Sequence, residues 1–284
     1  DEKDYHICSI VLSFLTACDK EDLGGSNIHV PEFDYNALSE TDKYIYDHYT
    51  VPYNVEVVYR WNQGDVSSDD MRKNLVPPRE SQVEPFLEMI EKVWMDTYTA
   101  EVGQQTLRSY IPKQLLLVGS ASYNDDGSTT EGTAEGGRQI VLYSVNDFNF
   151  ELEQIQSYAH VMHHEFAHIL HQNVEYDAEF EKITPSYSSS WMQMNDETAR
   201  SKGFITAYAS SSANEDFAEM VSIMLTNSPE DWDNMIENAG NAAAVEALRK
   251  KEAIVVAYMK NNWGVNMKDF QKEVVAAIKA AVRN

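Results

Sequence analysis

This sequence predicts an α+β fold, on three observations. Its first half carries three short strand-like runs, one at 54–61 that alternates and is rich in β-branched and aromatic residues and two shorter ones at 113–118, which is apolar, and 138–143. From residue 212 onward the pattern is helical. Between the two lies a histidine-rich stretch with helical periodicity, His163-His164-Glu165-Phe166-Ala167-His168-Ile169-Leu170-His171-Gln172. At 284 residues the chain can bury a full core, as one large domain or two lobes.

In chain order, Ile7 to Ala17 is an apolar run too short to span a bilayer, with the make-up of a signal-peptide core. Leu15-Thr16-Ala17-Cys18 then looks like a bacterial lipoprotein cleavage box, in which Cys18 takes the lipid. Asp19-Lys20-Glu21-Asp22 resembles the Lys-plus-acidic tag of lipoproteins displayed on the outer surface of the outer membrane; a periplasm-facing placement is the alternative. Asp1-Glu2-Lys3-Asp4 departs from the pattern, because a signal peptide carries positive charge there. The competing reading of the segment is a short buried helix. The expected organisation is a lipoprotein signal-like segment at 1–18, a polar tether at 19–33 and a catalytic domain at 34–284. Cys8 would leave with the signal and Cys18 would be acylated, so every metal ligand would have to be His, Asp or Glu.

Tyr35 to His48 predicts a helix with a charged face, and the alternating Asn54 to Trp61 predicts a strand. Ser81 to Thr99 places Phe86, Ile90, Val93 and Trp94 at helical spacing. Lys113 to Val118 and Arg138 to Tyr143 read as short strands of one small mixed sheet. The second is the expected cleft-lining strand, whose edge can bind an extended peptide. Asn124-Asp125-Asp126-Gly127-Ser128 is a turn without the acidic ends of a calcium loop. The histidine helix begins near residues 151–157. Ser212 to Thr226, Pro229 to Ala239, Ala242 to Asn261 and Met267 to Val282 predict the later helices.

The net charge is −24. That excludes a phosphate-neutralising nucleic-acid binder and adsorption to an anionic membrane surface. A membrane contact is expected only through the lipid on Cys18.

His164-Glu165-Phe166-Ala167-His168 is an H-E-x-x-H pattern. Residues four apart stack on one helix face, so two imidazoles there can chelate one Zn²⁺. Glu165 then lies beside the metal, placed to take a proton from water. Tyr158, Met162, Phe166 and Ile169 form an apolar stripe, and His160, His164, His168 and His171 cluster roughly opposite. Four imidazoles are an unusual solvent face. His163 points off that face; His160 and His171 read either as secondary contacts or as packed histidines.

A catalytic zinc needs three protein ligands and an open position. The metzincin pattern requires Gly and then His at the positions held here by His171 and Val174, so the third ligand lies elsewhere. Ser212-Ala213-Asn214-Glu215-Asp216-Phe217-Ala218-Glu219 offers Glu215 and Glu219 on one face, one to bind zinc and one to orient a ligating histidine. Ser212 to Glu215 is also a capping box, which would fold Glu215 back on the helix start.

His164-Glu165-x-x-His168 followed by Glu215-Asp216-Phe217-Ala218-Glu219 resembles the gluzincin-type metallopeptidases, most of all the anthrax lethal factor pattern. That resemblance implies a zincin-like fold, Glu215 as third ligand and Glu219 in support behind the ligands. It also implies a catalytic role for the tyrosine seven residues before the ligand, here Tyr208, as an oxyanion donor. The plain reading of Tyr208 is a half-buried aromatic. Pro52-Tyr53-Asn54-Val55, the lipobox, Gly203-Phe204 and Tyr208-Ala209 extend the likeness to substrate-import-associated zinc metallohydrolase lipoproteins. That family implies a place beside a TonB-dependent importer and its surface binding lipoprotein.

The expected chemistry is zinc-dependent hydrolysis of a peptide or protein at the cell surface, with Glu165 as base and then acid. A non-catalytic substrate-binding lipoprotein on the same scaffold is the alternative, and a non-peptide bond is a third reading. An intact Glu165 favours hydrolysis.

Overall fold

Among the described residues, four short strands form one mixed sheet, and most of the rest is helical. The computed structural model describes residues 33–62, 64, 66, 73–124, 129–130, 132–135 and 138–283. The expected signal, lipobox and nearly all of the tether lie outside the described residues, as do residues 125–128 of the expected turn. The chain divides into units at 1–37 and 38–284. In the described part of the first, Tyr35–Ala37 makes a 3₁₀ turn, with the Asn36 N–H donating to the Asp34 carboxylate at 2.9 Å.

In the second unit, α1 spans 40–53, later than the expected Tyr35 to His48. The reason is local: Ser39 caps it, its Oγ accepting from the Asp42 N–H at 3.1 Å. Asn54, at φ 57°, ends it in the left-handed region, which shortens the next strand, β1, to Glu56–Val58. Helix α2 (80–102) contains the expected apolar stripe and ends at Gly103, φ 81°. Helix α3 (Gln104–Tyr110), not anticipated, leads into β2 (Gln114–Leu117). Strands β3 (Ser122–Tyr123) and β4 (Thr129–Thr130) pair with each other, and β5 (Gly132–Glu135) and β6 (Gln139–Leu142) follow.

The sheet order is β1-β2-β6-β5, with β1, β2 and β6 parallel and β5 antiparallel to β6. Side chains alternate in burial direction, as the pleat requires. Leu115, Leu117, Ile140 and Leu142 join the large helical core, whereas Leu116, Val118, Val141 and Tyr143 form a smaller cluster with Val66. This corrects the cleft-strand expectation. Arg138 to Tyr143 is interior, bonded on both sides, because Gly132–Glu135 covers its edge.

Helix α4 (Leu152–Asn173) carries the histidine motif. Short helices α5 (Glu179–Ile183) and α6 (Asp196–Arg200) follow, then α7 (Ala213–Thr226), α8 (Pro229–Glu237), α9 (Ala242–Trp263) and α10 (Met267–Ala281). None of the described helices is long and apolar enough to cross a membrane. Gly132 helps decide how β5 meets α4: a Cβ there would crowd Val161 Cγ1 and force that side chain to shift, so glycine lets the edge strand run close against the histidine helix.

His163 anchors α4 from the opposite side. It is fully buried, 5.5 Å from the Tyr98 ring and 6.1 Å from the Phe270 ring, with no well-formed hydrogen bond at either nitrogen. Burial pushes its imidazole down to about 3 from 6.5, only partly offset by the backbone of Val93. The sign follows from linkage. Above pH 6.5 neither state is protonated; below it the unfolded chain takes up a proton that the fold refuses until about 3. Stability present above pH 6.5 is therefore lost as pH falls toward 3, at about 1.4 kcal/mol per unit from this group. His163→Leu is expected to remove roughly 2 kcal/mol of the loss between pH 6.5 and 5. Urea unfolding of both proteins at the two pH values, with chelator present, measures it; equal losses would contradict the assignment.

Candidate metal centre

The site is built where α4 crosses α7. Helical spacing puts His160, His164 and His168 in a row on α4, and α7 presents Glu215 and Glu219 to that row. His164 Nε2 lies 3.1 Å from His168 Nε2, and each lies 3.1 Å from Glu215 Oε2. Three donors at equal separations form a metal-sized triangle. Tetrahedral zinc with bonds of about 2.0–2.1 Å separates its ligands by about 3.3–3.4 Å, so the residues fit the ion. The donor set, two imidazoles and a carboxylate, is also that of a zinc site with one position left for water.

The supporting contacts account for the remaining histidines. Glu219, 2% exposed, places Oε1 2.7 Å from His164 Nδ1 and 2.8 Å from His160 Nε2, while Oε2 accepts from Thr206 Oγ1 at 2.7 Å. The approach to His164 Nδ1 is out of line for a hydrogen bond and counts as a charge contact. A ring that ligates through Nε2 carries its proton on Nδ1, and a carboxylate there favours that tautomer. His160, His164 and Glu219 thus make a second close trio, but it shares a ring with the first and lies behind it. His168 Nδ1 lies 2.9 Å from His171 Nε2, and the buried His171 ring packs edge-on to Tyr176. Burial lowers the His171 pKa to about 4, so at neutral pH the ring is uncharged and its Nε2 can accept a hydrogen bond from His168 Nδ1–H.

The electrostatics favour a bound cation. Burial works against charge on Glu215, but hydrogen bonds from His164 and His168 outweigh it and hold the carboxyl well below its usual range. Glu219 is held low in the same way, burial being outweighed by His160 and His164. Burial raises Glu165, with His164 and His168 pulling it back. Burial works against charge on His164, but Glu215 and Glu219 outweigh it and raise its pKa to about 10, a preference for positive charge that a bound cation would also satisfy.

Glu165 and Tyr208 both line the cleft of about 940 Å³ over the triangle. The Tyr208 ring is 5.7 Å from that of His164 and packs edge-on to Trp191 at 4.9 Å. Burial, then Glu215, raises its pKa, so the phenol keeps its proton and can donate. One wall of the cleft comes from Asn124, Thr129, Thr130, Gly132 and Thr133, on and beside the edge strand; the other from Trp191, Met192 and Tyr208. Trp191 and the edge strand went unnoticed in the sequence. The strand's Gly-Thr-Ala-Glu has no apolar alternation to betray it.

A family described as "Putative zinc-binding metallo-peptidase" matches residues 35–268. The chain belongs to this family. A crystal structure described as a "putative zinc-binding metallo-peptidase" from Bacteroides caccae is similar at 32% identity and a TM-score of 0.73, over 86% of this chain and 95% of that one. No curated protein matches. The family match covers the whole site, from β1 through the start of α10.

Proposed function

We propose that this family member is a zinc-dependent endopeptidase of zincin-like, gluzincin type. The observation that carries the reading is the equal-sided triangle of His164, His168 and Glu215 on a cleft floor that also presents Glu165. Zinc held there supplies Lewis acidity, polarising a peptide carbonyl and acidifying water. Glu165 takes a proton from the attacking water and returns it to the leaving amine. Tyr208 donates a hydrogen bond to the oxygen on which charge develops. Glu219 and His171 orient the two histidines. Gly132–Glu135, the edge strand of the sheet among the described residues, offers main-chain groups to an extended substrate.

Recognition of a free C-terminus is disfavoured by what the described lining lacks, and internal cleavage is the reading proposed. Among the described lining residues there is no Lys or Arg, and the whole segment 124–137 contains none. A free substrate carboxylate finds no cationic partner there. The expected result is cleavage of internal bonds in a peptide library, unaffected by C-terminal amidation and abolished by a zinc chelator. Mass spectrometry of the products checks it; a zinc-loaded protein that cleaves nothing would favour the non-catalytic binding reading. The lipid tether on Cys18 and an outer-membrane location belong to the same proposal and rest on the N-terminal sequence; an importer as partner rests on the resemblance to the import-associated lipoproteins.

A further inference from the structure

Behind the metal site lies a buried charge pair that the chemistry above does not use. Lys251 is fully buried, the one lysine so placed among the described residues. It sits on the apolar stripe of α9 between Leu248 and Val255. Its Nζ is 2.5 Å from Oδ2 of Asp216, also fully buried, and donates to the Gly203 carbonyl at 2.8 Å. Its third side faces the Phe204 ring, 4.3 Å from the centroid. Tyr187 OH donates to the same Asp216 oxygen at 3.1 Å. Gly203 adopts φ 85°, and a Cβ there would meet Thr184 and Ala247 at under 3.0 Å, so the turn that aims its carbonyl at Lys251 requires glycine.

These contacts join three segments at one ammonium group. Asp216 follows Glu215 in the first turn of α7 and precedes Glu219 by less than a turn. Gly203 begins the loop that delivers Thr206 to Glu219 and Tyr208 to the cleft wall. Stability alone does not account for the pair. Taking two charges out of water costs about what their attraction returns, and apolar replacements of similar volume are often neutral or better. Asp216 Oδ1 moreover has no hydrogen-bond partner among the described residues, a cost in a dry interior. What a directional buried pair does contribute is one defined arrangement of the segments it joins.

We propose that Lys251 and Asp216 are positioning residues for the metal centre. They hold the first turn of α7 and the loop 203–208 in the arrangement that brings Glu215 onto His164 and His168 and Thr206 onto Glu219. The proposal rests on the reading that this triangle binds zinc.

The test uses Lys251→Met with Asp216→Leu, which removes both charges and leaves neither unpaired. Zinc affinity is measured by chelator competition, and the visible spectrum is recorded with cobalt in place of zinc, both beside the wild type. The expected result is a folded protein whose zinc affinity is about 10–100-fold weaker, as for lost supporting contacts, with an altered cobalt spectrum. A folded double variant with wild-type affinity and spectrum overturns the proposal and leaves the pair purely structural. Wild type that takes up no zinc overturns the metal reading itself, and is seen before any variant is compared. If the double variant does not fold, Lys251→Met with Asp216→Asn keeps the side-chain shape and an acceptor for Tyr187, and the same two outcomes decide.

Discussion

Glu165→Gln is expected to bind zinc as the wild type does and to lose about 10²–10⁴ in kcat, the range for removing a general base. Glu165 lies on α4 between the two histidines of the triangle without joining it, so the substitution leaves all three donors in place. Glutamine keeps the volume and hydrogen-bonding reach but cannot carry the proton from water to the leaving amine. Burial holds the Glu165 pKa above its ordinary value, which suits a group that must accept and return a proton near neutral pH. Metal content and turnover of an internal-bond peptide are measured together. Full zinc with unchanged kcat would remove Glu165 as the base.

The second large effect is on metal binding. Glu215→Gln should weaken zinc by more than the 10–100-fold typical of a supporting contact, because it removes a charged donor. Ser212→Ala should leave zinc affinity nearly intact and cost about 1 kcal/mol of stability. Ligation and capping, posed by the sequence as alternatives for Glu215, use different atoms. Ser212 Oγ accepts from the Glu215 backbone N–H at 3.3 Å, while the Glu215 carboxylate reaches His164 and His168. The cap fixes where α7 begins; the side chain is then free to face α4. Chelator competition and denaturant unfolding of the two variants separate the roles, and the opposite pattern would leave Glu215 a capping residue only.

The parts of the site that were legible in the sequence share one property: their spacing is local. His160, His164 and His168 repeat every fourth residue, and so do Glu215 and Glu219, so one helix turn sets each face. The parts that were not legible come from distant segments. The edge strand Gly132–Glu135 is polar and short, and it is a strand because Gln139–Leu142 pairs with it. His171 differs from a packed histidine only by its 2.9 Å contact to His168. Lys251 left one trace, a lysine on the apolar stripe of α9, but nothing local could name Asp216 as its partner.

By itself, then, the sequence determined the α+β class and the candidacy of the histidine helix, Glu215, Glu219 and Tyr208 for a metal site. Periodicity and residue type are enough for all of these but Tyr208, which only the family resemblance singled out. Tertiary structure puts Glu215 in the triangle and Glu219 behind it, the assignment that residue spacing left open and the resemblance implied. It also decided which strand borders the cleft, and that a buried pair lies behind α7. These depend on helix crossing, on sheet order and on the close approach allowed at Gly132. Such distances arise only when segments far apart in the chain pack together.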